Sequence, residues 1–479
     1  MPTERRLESI KLALPKGKLL SATACLLNHI GLEFKNYTQA TRVYRLQSAE
    51  LPHVSAKIFQ EKDIPIQVAV GNYDFGICGL DWIEELLAKY PSSALVKIAD
   101  LEYDKGNLYL AASQYGDIDF QEMSVRQENW RIVTEYPNLA EAAALNLRLR
   151  RFHVFPVWGA AEAYPPENAD LALLLTKGET SIKELNLLPL KTLLSTSAFL
   201  IANKESWQTK DISQIINYFK LGLEMQSKPW LEINPKRIKS HNGFRYEPDG
   251  EKIWLAVPDG HQQGPALKFL TQAGIEIEGY AGDVVYRRPS CNLDWVNVKV
   301  IRPQDMPLQV ANGNFDLAVT GKDWLLDHLS RFPTSPATEL VELGFGKVKV
   351  VAVVTQNTPA NNIDDLKQIQ AGKMQRLRVA SEYVNIADKY LHDNHVRWYK
   401  MIPTWGASEA LLPEDADLLI ENTQTGKTLA EHKLKVIDTL FESTACLIGN
   451  KNSLNNSNKK DRIATMVEIF SKAAKGNIV

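Results

Sequence analysis

An α/β fold in two tandem copies is predicted by three observations. The chain matches itself at a near-constant offset, each copy alternates apolar strand-like runs with helical stretches, and a segment rich in Lys, Pro, Asn and Ser separates the copies. The run Asp63 to Trp82 returns as Asp305 to Trp324, with 11 of 20 positions identical at an offset of 242. Trp158-Gly159-Ala160-Ala161-Glu162 returns as Trp405-Gly406-Ala407-Ser408-Glu409, and Ser197 to Lys204 returns as Thr444 to Lys451, both at 247. Such small drift means one duplicated unit of about 220 residues with short loop insertions.

Within the first copy, Ile10 to Leu14 reads as a strand, and a helix follows from about Lys18 to Ile30, ended by Gly31. The same alternation continues through each copy and argues for mostly parallel strands. Between the copies, Pro229, Pro235 and Pro248 argue against a continuous helix from Gln226 to Gly250. A copy of this length has room for two lobes with a cleft between them, a common setting for small-molecule sites.

Composition narrows the function. Lys plus Arg number 55 against 57 Asp plus Glu, for a net charge of −2, with 44% hydrophobic and 23% charged residues. Globular usage of this kind disfavours disorder, and there is no basic excess of the sort that neutralises nucleic-acid phosphates. Cys25, Cys78, Cys291 and Cys446 form no C-x-x-C pair, so neither a zinc knuckle nor a disulfide framework is supported, and a reducing compartment fits best. With no run of about 18 apolar residues and no signal-peptide core, a cytoplasmic protein without membrane spans is expected.

The chemistry lies in turn motifs. In the second copy an apolar strand carrying Asp417 and Glu421 runs into Thr423-Gln424-Thr425-Gly426-Lys427-Thr428, and a helix begins at Leu429. A strand, a glycine turn and a helix start point backbone N–H groups at one spot, which suits a phosphate, and the Thr425 and Thr428 hydroxyls and the Lys427 ammonium add donors. It is not a Walker A loop, which needs glycine five residues before Gly426, where Glu421 stands. The first copy is one residue shorter here, with Leu174 at the Glu421 position and Glu179 in the turn, where a carboxylate repels phosphate. The opposite loss occurs earlier. Copy one has Leu14-Pro15-Lys16-Gly17-Lys18, and copy two has Val257-Pro258-Asp259-Gly260-His261. Arg302 in Ile301-Arg302-Pro303-Gln304-Asp305 has no cationic counterpart in Phe59-Gln60-Glu61-Lys62-Asp63.

Taken in order, L-P-K-G-K, R-P-Q-D-M-P, D-L-A-V-T-G-K-D-W, E-L-G-F-G-K, W-G-A-S-E and A-D-L-L-I-E-N-T-Q-T-G-K-T-L make the chain resemble the short-form catalytic portion of ATP phosphoribosyltransferase, twice over. The resemblance implies a two-lobed unit like type II periplasmic binding proteins, with the two units arranged as an intramolecular pseudo-dimer. On that reading the first unit covers 1–226, with lobe I at 9–112 and 192–226 and lobe II at 113–191. A linker follows at 227–250. The second unit covers 251–479, with lobe I at 251–355 and 437–479 and lobe II at 356–436.

The implied reaction is attack of the adenine N1 of ATP on the anomeric carbon of phosphoribosyl pyrophosphate, releasing pyrophosphate in the first step of histidine biosynthesis. A ring nitrogen needs no strong base. The site must align two anions and neutralise the leaving group, with Mg2+ carried by the pyrophosphate and no metal ligands from protein side chains. The resemblance assigns Thr423, Gln424, Thr425, Gly426, Lys427, Thr428 and Leu429 to the 5-phosphate and Glu421 to the ribose hydroxyls. It makes Lys16, Lys18 and Arg302 the catalytic cations. Weaker nucleotide or phosphate contacts are Gly17, Arg42, Arg45, Arg287, Arg288, Lys347 and Glu409. Asp81 and Asp323, each followed by Trp, are expected to be structural. One composite site drawing on both copies competes with a non-catalytic nucleotide-binding or regulatory protein on the same fold. A partner resembling histidyl-tRNA synthetase is a further implication.

Overall fold

The computed structural model describes residues 9–38, 43–91, 94–115, 123, 129–211, 215–219, 252–281, 286–373, 375–406 and 408–476. The expected linker 227–250 and Arg42 lie outside these residues. Two compact units form, one from Met1–Pro156 with Ala169–Tyr246 and one from Val157–Asn168 with Glu247–Val479. A short stretch of the first copy, 157–168, therefore counts with the second unit.

Each unit has two large sheets, and the second unit adds a small two-stranded one, Ile277–Glu278 with Ser290–Cys291. In the first unit, the strand Ile10–Pro15 lies parallel between Val54–Phe59 and Phe75–Gly79, and is buried at every position but Lys11. Near-continuous apolar sequence is what a central strand covered on both faces requires. Arg45–Gln47 extends the sheet at one edge, and Ala198–Asn203 joins antiparallel between Phe75–Gly79 and Leu95–Asp100. The second sheet runs Leu187–Thr196, Gly106–Ser113, Leu171–Thr176, Trp130–Thr134, Phe152–Pro156.

The second unit repeats the plan. One sheet is Val296–Ile301, Ile253–Pro258, Leu317–Gly321, Ala445–Asn450, Ala337–Glu342, and the other is Tyr399–Pro403, Leu377–Ser381, Leu418–Thr423, Val348–Thr355, Leu434–Ser443. Separate apolar clusters fill the lobes, around Leu12, Phe75 and Leu200 and around Leu108, Ile132 and Leu173 in the first unit, and around Leu255, Phe269 and Leu447 and around Val350, Val379 and Ile420 in the second.

Two expectations are revised. Parallel pairing is only half of each second-unit sheet, because strands entering from the other lobe, such as Ala445–Asn450 and Val348–Thr355, run antiparallel to their neighbours. The outward lobe crossing also comes earlier than 112, and the return later than 192. Gly106–Ser113 and Leu187–Thr196 both pair in the second-lobe sheet, so the chain crosses at 101–105 and returns at 197. A continuous apolar run does not declare which sheet it will join.

The crossing segments differ between copies. In the first unit Glu102 and Asp104 adopt φ of 59° and 51°, where the second unit has Gly344 and Gly346 at 76° and 64°. Left-handed backbone is easy for glycine and costs a non-glycine residue about 1 kcal/mol or more. Local bonds hold the first-unit version. Asp100 Oδ1 accepts from Glu102 N at 2.8 Å, the Tyr103 and Thr23 hydroxyls meet at 2.7 Å, and Asp104 pairs with Lys18 at 3.1 Å.

Buried carboxylates join lobe to lobe in both units. Tyr136 Oη donates to Asp81 at 2.6 Å and Tyr383 Oη to Asp323 at 2.5 Å. Glu85 accepts from Asn138 N and Leu139 N at the start of the helix Pro137–Asn146, and Asp327 accepts from Asn385 N and Ile386 N at the start of Val384–Asp393. Each supplies the missing acceptor of a helix N-terminus.

Candidate functional site

The second-copy loop is anchored underneath and open above. Thr423 ends its strand, and its Oγ1 accepts from Gly426 N at 3.0 Å, closing the turn. Gly426 sits at φ 70°, which lets the chain reverse into the short helix Lys427–Glu431. Leu429 is buried and fixes that helix to the lobe, while Gln424, Thr425, Lys427 and Thr428 are exposed. The turn therefore offers two hydroxyls, an amide and an ammonium on one side. In the first copy Leu174 is buried at the Glu421 position, Gly178 precedes the helix Glu179–Glu184, and Glu179 opens that helix.

Glu421 lies half-buried on the strand leading to the loop. Ser408, which is buried and begins the 3-10 turn Ser408–Leu411, donates to Glu421 Oε2, and Asn422 N donates to Oε1 at 2.9 Å. Burial and the nearby charge of Glu382, with a smaller push from Glu409, drive the Glu421 carboxyl up to about 8, against the opposing pull of Ser408 and Asn422. Asn422 in turn donates to Tyr383 Oη at 2.7 Å, so the loop strand is tied to the Tyr383–Asp323 bond.

Three of the second unit's other candidate cations are already matched. Asp259, at the place of Lys16, is buried and accepts from Arg287 Nη1 at 2.9 Å and from Arg302 Nη1 at 3.3 Å. Arg287 Nε donates to Glu162 at 2.9 Å, and Arg288 Nη2 donates to Glu167 at 3.0 Å and to the carbonyls of Ala163 and Pro165. Arg302 also lies against Gly159, where an added Cβ would meet its Nε at 3.1 Å. These three arginines thus hold the stretch 157–168 and an internal carboxylate. Lys347 is exposed beside Gly346, and Glu409 is half-buried.

In the first unit, Gly17 at φ 83° presents Lys16 and Lys18 on either side of a tight turn. Lys16 Nζ donates to Tyr44 Oη at 3.0 Å. Lys18 pairs with Asp104; burial pulls its ammonium down, but Glu61, Asp104 and Asp81 together raise it above its usual value. Glu61 is pushed up to about 7 by burial, with Asp81 and Asp104 adding to the effect and Lys18 opposing it. Arg45 is exposed on an edge strand. The hydroxyls of Tyr37 and Tyr280 donate to the carbonyls of Pro15 and Pro258 at 2.7 and 2.5 Å, fixing the strand-to-turn exit equivalently in both copies.

Sequence reasoning missed Glu382, Ser408, Asp259 as an acceptor for two arginines, and the Glu167–Lys299 pair. Only Ser408 left a trace. Ser408 and Glu421 are replaced together in the first copy, by Ala161 and Leu174.

A family model described as HisG: ATP phosphoribosyltransferase matches residues 60–221 and 302–472. The chain is 32% identical over 224 residues to an ATP phosphoribosyltransferase of Chlorobaculum parvum, covering 46% of this chain and 70% of that one. It is 31% identical over 221 residues to the enzyme of that name from Thermodesulfovibrio yellowstonii, covering 46% and 71%. Among solved structures it is similar to the ATP phosphoribosyl transferase (HisG:HisZ) complex from Thermotoga maritima, with 20% identity, 45% of this chain and 100% of that chain covered, and a TM-score of 0.38. It is also similar to the periplasmic aliphatic sulphonate binding protein SsuA from Escherichia coli, with 15% identity, 45% and 68% covered, and a TM-score of 0.29.

Proposed function

The chain belongs to the ATP phosphoribosyltransferase family, and we propose that it transfers the phosphoribosyl group of phosphoribosyl pyrophosphate to N1 of ATP, releasing pyrophosphate in the first step of histidine biosynthesis. One observation carries the proposal. The second-copy loop keeps Thr425, Lys427 and Thr428 exposed around a left-handed Gly426, with Glu421 behind it, and the first copy has lost both features. The loop donors hold the 5-phosphate, and the Glu421 carboxylate accepts from ribose hydroxyls. Together they fix the anomeric carbon for in-line attack.

Mg2+ enters with the pyrophosphate as part of the substrate. That metal is bound mainly by phosphate oxygens. Lys16, which donates to Tyr44, and Lys18, which is paired with Asp104, are the proposed cations for nucleotide or pyrophosphate oxygens. No helix among the described residues is long and apolar enough to cross a membrane. A histidyl-tRNA-synthetase-like regulatory partner and a cytoplasmic location complete the proposal.

A second reading is favoured by the neutralised arginines Arg287 and Arg302: a protein that binds the substrates without turning them over. Pyrophosphate release from ATP and phosphoribosyl pyrophosphate, measured for the wild type, Lys427→Ala and Lys16→Ala, decides between them. Turnover abolished by Lys427→Ala supports transfer. Ligand-induced thermal stabilisation with no pyrophosphate release from the wild type supports the binding protein.

A further inference from the structure

Ser408 and Glu421 form a matched pair outside the loop itself. Ser408 is 1% exposed, its hydroxyl donates to Glu421 Oε2, and the other carboxylate oxygen takes Asn422 N at 2.9 Å. The first copy, whose loop is altered, carries Ala161 and Leu174 at these two positions, so the hydroxyl and the carboxylate are absent together. A buried hydroxyl has little reason to be kept except to serve an acceptor, because an unsatisfied one is costly.

We propose that Ser408 is a positioning residue that orients the Glu421 carboxylate and favours its charged form for the hydroxyls of the phosphoribosyl substrate. This rests on the phosphoribosyl reading of the loop. The groups around Glu421 make such a device necessary. Glu382 follows the neighbouring strand Leu377–Ser381, Glu409 comes from the Ser408–Leu411 turn, and Tyr383 opens toward the same strand end, so acids face it from two elements. Across the strand pair, Val351 stands opposite Glu421, and Lys349, opposite Thr423, is paired with Glu442. Ser408 and the Asn422 amide oppose the resulting upward drive on the Glu421 carboxyl, which stands at about 8.

A hydrogen bond to a charged group carries enough free energy that losing it moves Glu421 upward by about one further pH unit. With the carboxyl near 8, the charged fraction at pH 7 falls about tenfold, whereas at pH 9 it falls only about twofold.

Binding of phosphoribosyl pyrophosphate with Mg2+ to the full chain, titrated calorimetrically at pH 7 and pH 9, tests this. Ser408→Ala is expected to bind about tenfold more weakly than wild type at pH 7, with the gap narrowing to about twofold at pH 9. Ser408→Cys, nearly isosteric with a weaker donor, guards against a folding defect and should fall between the two. An equal gap at both pH values, or wild-type affinity for Ser408→Ala at pH 7, overturns the positioning role while leaving the loop assignment standing. If the wild type binds no phosphoribosyl pyrophosphate at either pH, the phosphoribosyl reading fails and the inference with it.

Discussion

Lys299 donates to Glu167 at 2.9 Å from a side chain with no exposure at all. Its ammonium also reaches Asn168 Oδ1 at 2.8 Å and lies 5.1 Å from the centre of the Trp254 ring. Arg288 shares the same carboxylate. The first copy keeps a buried lysine at the corresponding position, Lys57, within 5.8 Å of the Phe59 ring, so this cation in the sheet belongs to the duplicated unit. Burial pulls Lys299 down to about 7 despite Glu167, while Lys299 and Arg288 overcome burial and hold Glu167 below its usual value.

Removing the carboxylate should therefore hurt more than removing both charges. Glu167→Gln is expected to cost about 3 kcal/mol in urea unfolding, because it strands a buried ammonium, and Glu167→Gln with Lys299→Met should recover most of that loss. Additive losses in the double variant argue against the pairing. The sign with pH is fixed as well. Between about 7 and the usual lysine value of 10.5 the unfolded chain binds the extra proton, so stability rises with pH through that window, and Lys299→Met should flatten the rise.

Gly426 can be tested on conformation alone, since no atom lies within 4 Å of where its Cβ would be. Gly426→Ala should lose about 1 kcal/mol to left-handed strain, and Gly426→Asn less. Affinity for phosphoribosyl pyrophosphate should drop in the same order by calorimetry. Equal affinity in all three proteins would show that the turn does not hold the phosphate.

Tyr136→Phe and Tyr383→Phe remove equivalent inter-lobe bonds to Asp81 and Asp323. Each is expected to cost about 1–2 kcal/mol in thermal unfolding, because a buried carboxylate loses a donor. Only Tyr383→Phe should also slow pyrophosphate release, since Asn422 beside Glu421 donates to that hydroxyl. Equal kinetic effects from the two changes count against a single working loop in the second copy.

Glu179→Ala in the first-copy turn should leave pyrophosphate release within about twofold of wild type, because surface changes away from a site are nearly neutral. A gain or loss of tenfold or more would mean that the first-copy loop takes part.

Much of this was legible in the chain. The 11 identities from Asp63 to Trp82 exposed the duplication, and Gly426 with its neighbouring threonines exposed the loop, because both are local patterns. Arg287, Arg288 and Arg302 were legible as cations but not as paired ones. Glu162 and Glu167, which accept from Arg287 and Arg288, lie more than a hundred residues away. Asp259, which accepts from Arg302, lies 43 residues away, and spacing carries no information about such partners. The parallel expectation failed for the strands that arrive from the other lobe, whose composition is that of any buried strand. Ser408 looked like one more small residue in a turn. Its burial against a carboxylate appears only when the strand Leu418–Thr423 and the turn Ser408–Leu411 are folded together.

The crossing segments give the two copies unequal compliance. Gly344 and Gly346 let the second unit's bridge take its left-handed turns without strain, whereas Glu102 and Asp104 take up the same turns under strain and are clamped by Asp100 and Lys18, with Tyr103 between them tied to Thr23. Duplication has let one half stiffen while the half with the intact loop retains a soft joint. Amide hydrogens at 343–347 should accordingly exchange faster than those at 101–105.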